Sequence, residues 1–212
     1  MTTTHRTTSI AAAAALALAG LTGAASTATA GGPTPVDPAS VTPRLNPAFA
    51  PWDCWRTGTG ITCQGESAPT YANEPLGLFC DGLEVYVSGG GHDRMTRWHT
   101  ADGLATRTVV TISTPGDVFS LSPTGEGPTV TISSHFVRHY TYLVPGDISQ
   151  RVLTHTGASD LGRAEPGEPR LKGAGLLRFA PGEDFETVTA AHGTIASLDG
   201  EQIETWICDG LT

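Results

Sequence analysis

The stretch "TVTISSHFVRHYTYLVPGDISQRVLTHTG", from Thr129 to Gly157, contains the longest run of strand-forming residues in the chain. β-Branched and aromatic residues dominate both of its arms, and Pro145-Gly146 marks a turn between them. This pattern predicts a β-hairpin in which successive side chains point to opposite faces of a sheet. The hairpin therefore indicates that the fold is built from antiparallel β-structure.

Similar strand signals recur on both sides of this hairpin. In "LEVYVS", Leu83, Val85 and Val87 alternate with polar or aromatic residues, the period expected of a half-buried strand. The segment "EQIETWICDG", from 201 to 210, is interpreted as the last strand, and nothing after residue 30 predicts a helix. We therefore expect an all-β fold, a single antiparallel β-sandwich stapled by disulfides, with a closed β-barrel as the alternative.

The N-terminal residues have the features of an export signal. One cation, Arg6, precedes the apolar run from Ile10 to Gly20, and Ala28-Thr29-Ala30 matches an A-x-A cleavage site. The apolar run is too short for a membrane span. We therefore predict a secretory signal peptide at 1–30, a Pro-rich extended leader at 31–51 and one all-β domain at 52–212, in a secreted, extracellular protein without a membrane span.

The composition narrows the class of partner. The chain has 26 glycines, 15 prolines and a formal net charge of −9. Because a negative surface is repelled by phosphate backbones, we do not expect nucleic acid to be a partner. The Gly- and Thr-rich composition and the Ala-rich N-terminal run resemble those of small proteins exported by high-GC Gram-positive bacteria, and no motif identifies a family.

The four cysteines, Cys54, Cys63, Cys80 and Cys208, all follow the proposed cleavage site. An even number of cysteines in an exported chain predicts two disulfides, for which three pairings are possible. In "CWRTGTGITC", two short β-prone arms flank a glycine-containing turn, which favours a Cys54–Cys63 bond and leaves Cys80 for Cys208. A C-x-x-C zinc pair is missing, and two disulfides leave no thiol for catalysis.

Three histidines of the quoted hairpin, His135, His139 and His155, are the candidate metal ligands. On a strand, the Cα atoms of His135 and His139 lie about 13 Å apart, too far for the two alone to bind one metal ion. A two-residue turn at Pro145-Gly146 places His155 opposite Phe136, on the other face. A three-residue loop places it opposite Val137, between the other two histidines.

Two further features could carry a site. Trp52 and Trp55 lie on either side of Cys54. If they are exposed, they could stack on sugar rings or on a partner. If they pack on the disulfide, they belong to the core, and this is the interpretation we favour. His92 and Asp93 follow a Gly-rich bend and could form half of an acid–base pair, although a loop and a bulge is the simpler interpretation. A G-x-S-x-G nucleophile motif does not occur, so catalytic residues stay unassigned.

These observations lead to two main hypotheses about function. The first is a non-enzymatic secreted binding or surface module with an extracellular partner or ligand and no cofactor. The second is a secreted hydrolase or metal-dependent enzyme that uses a metal ion bound by His135, His139 and His155. A third, an inhibitor of exported proteases, would use the Cys54–Cys63 hairpin as a rigid exposed loop. The register of the long hairpin separates the first two.

Overall fold

The computed structural model describes residues 32–161, 171–197 and 200–212. Within these ranges the chain forms eleven strands, four 3-10 turns and one α-helix. The strands are β1 Thr34–Pro35, β2 Asp53–Thr57, β3 Gly60–Ser67, β4 Thr70–Cys80, β5 Leu83–Gly90, β6 His92–Thr100, β7 Ala105–Ser120, β8 Thr129–Tyr142, β9 Arg151–Leu161, β10 Leu171–Phe179 and β11 Val188–Gly193. The 3-10 turns are Pro38–Ser40, Pro47–Phe49, Ile148–Gln150 and Thr194–Ser197, and the helix α1 is Gly200–Leu211. The predicted signal peptide at 1–30 lies outside the described residues.

The strands form one antiparallel sheet. Its main order is β1-β2-β3-β6-β7-β8-β9-β10-β11, and the β4–β5 hairpin joins it where β5 pairs with the end of β7. The sixteen-residue β7 can pair with both β6 and β5 because a register shift between Thr114 and Asp117 divides it into two parts. The predicted all-β antiparallel class is confirmed. The described strands do not close into a barrel, and they form one continuous sheet instead of two sheets packed face to face.

One face of this sheet carries the hydrophobic core. Along β8, side chains two residues apart share a face, so Val130, Ile132 and Tyr140 all point to the same side. Val130 and Ile132 belong to the cluster under α1, and Tyr140 borders the cluster under the N-terminal segment. We call this side the covered face and the other side the open face. The described part of the covering layer includes the N-terminal segment, α1 and Phe185 of the β10–β11 connection, which packs on Tyr140.

The described part of the predicted leader, residues 32–51, packs on the covered face. Val41 is 3% exposed and packs with Cys54 and Cys63, and Phe49 is 7% exposed and packs with Met95. Asp37 and Asn46 each accept a backbone hydrogen bond at the start of a 3-10 turn and so fix the path of the segment. The sequence analysis placed the start of the domain at Trp52, but the packed unit begins earlier, within residues 32–51.

The prediction of a C-terminal strand was wrong, because residues 200–211 form α1. Ile203, Thr205 and Ile207 are spaced two residues apart, so they share one face of a strand. Ile203, Ile207 and Leu211 are spaced four residues apart, so they also share one face of a helix. Leu211 is 2% exposed and packs with Ile207 on Val85 of β5. The sequence pattern of this short segment is compatible with a strand and with a helix. The helix forms because it buries Ile207 and Leu211 against the sheet.

Both predicted disulfides are confirmed. Cys54 and Cys63 face each other across the β2–β3 hairpin with Cα atoms 4.1 Å apart, and Gly58 takes the positive φ that the two-residue turn requires. The second bond joins Cys80, at the end of β4, to Cys208 of α1, with Cα atoms 5.2 Å apart. This bond fastens the helix to the sheet.

A histidine lies inside the covered face. His99 of β6 is 4% exposed, its Nδ1 lies 3.4 Å from the carbonyl oxygen of Ile61, and its Nε2 has no hydrogen-bond partner. Burial lowers the pKa of His99 to about 4, and the nearby charge of Arg97 acts in the same direction. The ring is therefore neutral in the folded protein at neutral pH.

We expect His99 to make the protein less stable in mild acid. Above pH 6.5 the ring is neutral in both the folded and the unfolded chain. As the pH falls from 6.5 towards 4, the unfolded chain binds a proton that the folded chain does not, so the free energy of unfolding falls, by on the order of 3 kcal/mol. Urea unfolding at several pH values should show this slope, and the His99→Gln variant should show a shallower one, because His139 and His155, whose pKa values are also lowered, keep their own contributions. An equal slope in both proteins would contradict the assignment.

Candidate functional site

The open face carries a row of side chains that extends across five strands. The register pairs Trp55 with Thr62, Thr62 with Trp98, Trp98 with Arg107 and Arg107 with Thr141. Residues that pair directly across strands point to the same face, so all five side chains lie side by side. This row runs from β2 through β3, β6 and β7 to β8, and we call it the tryptophan row.

The two tryptophans of the row are available for contact. Both are half-buried, and neither indole N–H has a hydrogen-bond acceptor among the described residues. The two positions are separated by two strand spacings, which places their Cα atoms about 10 Å apart. The guanidinium carbon of Arg107 lies 4.9 Å from the centre of the Trp98 ring, a cation–π contact that restrains both side chains. The row is thus a partly ordered aromatic surface with free N–H donors.

Polar side chains border the tryptophan row. The adjacent row contains Asp53, Gln64, Thr96 and His139 on the same face. Burial lowers the pKa of His139, and the charge of Arg107 lowers it further, so this ring is neutral at neutral pH. These groups supply hydrogen-bond donors and acceptors next to the two indoles.

A cavity opens beside this border. It has a volume of about 300 Å³ and is lined by Pro51, Asp53, Gln64, Gly65, Glu66 and Arg94. Arg94 lies 3.7 Å from Glu66 and donates a hydrogen bond to Gln64 at 3.3 Å. The cavity therefore adds charged groups in an ordered arrangement at one end of the surface.

The structure does not bring the three candidate histidines together. The β8–β9 connection spans residues 143–150, longer than either loop considered from the sequence, and it places His155 opposite Arg138. Both predicted registers, opposite Phe136 and opposite Val137, were wrong. His135 and His139 lie on the open face, whereas His155 lies on the covered face and stacks on Phe136 with ring centres 4.6 Å apart.

The members of the other two predicted site pairs also lie on opposite faces of the sheet. Trp52 packs in the core and donates its indole N–H to the carbonyl oxygen of Asn46, whereas Trp55 lies on the open face. His92 and Asp93 are successive residues of β6, so they point to opposite faces and do not form an acid–base pair. Within the described ranges, no group of three or more His, Cys, Asp or Glu side chains is arranged to hold a metal ion.

Sequence reasoning missed Trp98 and Arg107. Each was recognisable as a residue of a strand, but their partnership with Trp55 depends on β3 pairing with β6 and on β6 pairing with β7. The pairing of β3 with β6 skips two strands, and no short-range pattern encodes it. The only available signal was the presence of a tryptophan and an arginine at strand positions without an obvious place in the core.

Comparison with known proteins does not assign a function. No protein-family model matches the chain, and neither a curated protein nor a solved structure shows significant similarity to it. Among the described residues, no helix has the length and apolar character needed to cross a membrane. The functional argument therefore rests on the geometry of the open face.

Proposed function

We propose that the protein is a secreted, non-enzymatic binding module that holds a carbohydrate chain on the tryptophan row. The observation that carries this proposal is the placement of Trp55 and Trp98 on the open face, two strands apart, with no acceptor for either indole N–H among the described residues. Secretion is supported by the N-terminal pattern of residues 1–30 and by the two disulfides, which persist in oxidising compartments.

The chemistry of the row suits sugar rings. One side of a pyranose ring presents mainly C–H groups, which pack on the flat face of an indole, and its hydroxyl groups need donors and acceptors at the edge. Gln64, Thr62 and Asp53 supply such groups beside the tryptophans. The spacing of about 10 Å between the two indole positions corresponds to alternate sugars of an extended β-1,4-linked chain.

The surface is also preformed. The tryptophan row lies on paired strands instead of loops, and Trp98 is restrained by Arg107. A ligand that binds a preformed surface loses less free energy to ordering the protein than one that must order a loop. This favours repeated binding along a polysaccharide with little change in the module.

The enzyme hypothesis has weaker support. It requires His135, His139 and His155 on a shared face, and the observed register separates His155 from the other two. His135 and His139 themselves are four positions apart on β8, too far for the two alone to hold one metal ion. The binding hypothesis is therefore the better account of the geometry.

We expect Trp98→Ala to weaken polysaccharide binding at least tenfold, because it removes both a stacking ring and the partner of Arg107. A tenfold loss corresponds to about 1.4 kcal/mol, within the range measured for single aromatic contacts. Binding would be measured by depletion from suspensions of cellulose, chitin and xylan. Trp55→Ala should cause a loss of similar size, and Trp98→Phe, which keeps a ring, a smaller one.

The matched control is His192→Ala, an exposed position on β11 at the far end of the sheet. It should bind as the unmodified protein does, and circular dichroism should show that each variant is folded. The proposal fails if the unmodified protein binds none of the three polysaccharides, or if both alanine variants bind them with undiminished affinity.

A further inference from the structure

A cavity opens between the strand β4 and the helix α1. It has a volume of about 500 Å³ and is lined by residues 76–79 of β4 and by Ile203, Glu204 and Ile207 of α1. The Cys80–Cys208 bond lies beside it, since each cysteine directly follows a lining residue in the sequence. A covalent bond therefore fastens together the two elements that form the cavity, which we call the β4–α1 groove.

Apolar side chains at the groove are exposed to solvent. Leu76 and Phe79, which line it, are 46% and 60% exposed, and Leu83, which pairs with Cys80 across the hairpin, is 56% exposed. Scattered single apolar side chains are ordinary on a protein surface, whereas several around one concavity are typical of a binding site. The groove is therefore an apolar site that is open to a ligand.

The strand β4 is irregular at the groove. Between Pro75 and Phe79, three residues of β4 lie opposite a single residue of β5, and Gly77 takes a positive φ of 74° within this bulge. No described strand pairs with the other side of β4. Because the bulge and Pro75, which lacks an N–H group, interrupt the ladder of backbone hydrogen bonds, we expect a ligand to bind here through its side chains and not as an added strand.

The surroundings of the groove are acidic. The elements β4, β5 and α1, together with the ends of β7 and β8 on which α1 packs, are formed by residues 70–90, 117–134 and 200–212. Each of these segments contains Asp or Glu, and none of them contains Lys, Arg or His. These segments thus supply no cation to the groove, and their electrostatic field favours a positively charged ligand.

Three carboxylates lie at the groove. Glu204 lines it, Glu74 precedes the bulge of β4, and Glu84 lies on β5 opposite Phe79. None of the three forms an ion pair with a described residue. Glu74 pairs with Val87, three residues along β5 from Glu84, so these two positions are about 10 Å apart along the strand. One small cation cannot contact both carboxylates at that separation, so the groove favours a ligand with at least two cationic groups.

An extended peptide provides such groups. Its residues rise about 3.3 Å each, so two Lys or Arg residues separated by one residue have Cα atoms about 7 Å apart, and their flexible stems extend the reach of the charges. The residue between them points to the opposite side. A cation–apolar–cation sequence can therefore place its central side chain in the groove while the two flanking charges reach carboxylates.

We propose that the β4–α1 groove binds a basic peptide segment of a partner protein. An aliphatic or aromatic side chain of the segment enters the cavity, and Lys or Arg residues on both sides of it pair with Glu74, Glu84 and Glu204. A second copy of the chain fits less well because its equivalent region is also acidic, and an anionic membrane surface is repelled for the same reason. The tryptophan row includes neither β4 nor α1, so this site does not depend on the proposed polysaccharide binding.

The probes are three capped peptides, Lys-X-Lys-X-Lys, in which X is leucine, phenylalanine or valine, and the readout is the set of backbone NMR signals of β4 and α1 in the full chain. We expect at least one peptide to shift these signals with saturation at submillimolar concentration, and added salt to weaken its binding. The peptide with X as serine, which keeps the charge, and the acidic peptide Glu-Leu-Glu-Leu-Glu should each bind more weakly by about tenfold or more. This comparison uses the unmodified protein, so it does not depend on whether a variant folds.

Variants at exposed positions locate the effect. Glu204→Lys reverses one charge in the groove, Leu76→Ser removes one apolar side chain, and each should weaken peptide binding about tenfold. The matched control, Glu186→Lys, makes the same charge change at an exposed position of the β10–β11 connection and should leave binding unchanged.

The proposal is overturned if none of the three peptides saturates, if the serine or acidic peptide binds equally well, or if Glu204→Lys and Glu186→Lys have equal effects. Sedimentation of the unmodified protein without peptide tests the other occupant. A dimer that Leu76→Ser dissociates would assign the groove to a second copy of the chain and would also overturn the proposal.

Discussion

The double substitution Cys80→Ser and Cys208→Ser is expected to lower the free energy of unfolding by roughly 4–5 kcal/mol, the value for a long disulfide loop in the chain-entropy model. The sequence separation of this disulfide is 128 residues, so it restricts the unfolded chain far more than the other one does. Both cysteines are replaced together so that no free thiol remains. Urea unfolding at neutral pH measures the effect.

The matched control is the double substitution Cys54→Ser and Cys63→Ser. Its sequence separation is 9 residues, and the same model gives roughly 2–3 kcal/mol. The model therefore predicts that loss of the Cys80–Cys208 bond costs more stability than loss of the Cys54–Cys63 bond. This ranking is a stronger test than either value alone. A larger loss from the Cys54–Cys63 pair would show that local packing, and not restriction of the unfolded chain, sets the contribution of each bond.

Replacing Gly157 with alanine is expected to lower the free energy of unfolding by roughly 4 kcal/mol, from backbone strain and overpacking together. The residue has φ of 150°, and a Cβ atom there would clash with the Cα atom of Phe136 and with the carbonyl oxygen of His135. Neither contact can relax by turning a flexible side chain, because the neighbouring atoms belong to the β8 backbone.

Gly116→Ala is the control for this prediction. Gly116 lies in β7, and a Cβ atom there would meet only the methyl group of Thr131, at 3.3 Å. We expect a change below about 1 kcal/mol, typical of surface substitutions. Similar losses for both variants would mean that the Gly157 position adapts to a side chain despite the close approach of β8 and β9.

The sequence was most informative where the decisive contacts are local. The β2–β3 hairpin follows from residues within ten positions of each other, and its turn, register and disulfide are as predicted. The β8–β9 hairpin shows the limit. Its two strands were recognisable, but the turn at Pro145-Gly146 is embedded in an eight-residue connection with a 3-10 turn, and the length of that connection decides which face His155 occupies.

Other features depend on contacts between distant parts of the chain. The helical state of 200–211 is favoured by the burial of Ile207 and Leu211 on β5, 120 or so residues earlier, and no local pattern reveals that surface. The tryptophan row requires the pairing of β3 with β6. The candidate site could be predicted only in part, as one exposed tryptophan, because its other members come from strands whose order the sequence does not disclose.

The position of the Cys80–Cys208 bond also constrains the order of oxidative folding. Every described strand precedes Cys208 in the sequence, so in a chain exported N-terminus first Cys80 reaches the oxidising compartment before its partner. During that interval Cys54 and Cys63 are the thiols with which it could mispair. Their own separation of nine residues makes their mutual encounter fast, which removes both competitors early. The short hairpin bond thus protects the fidelity of the long one.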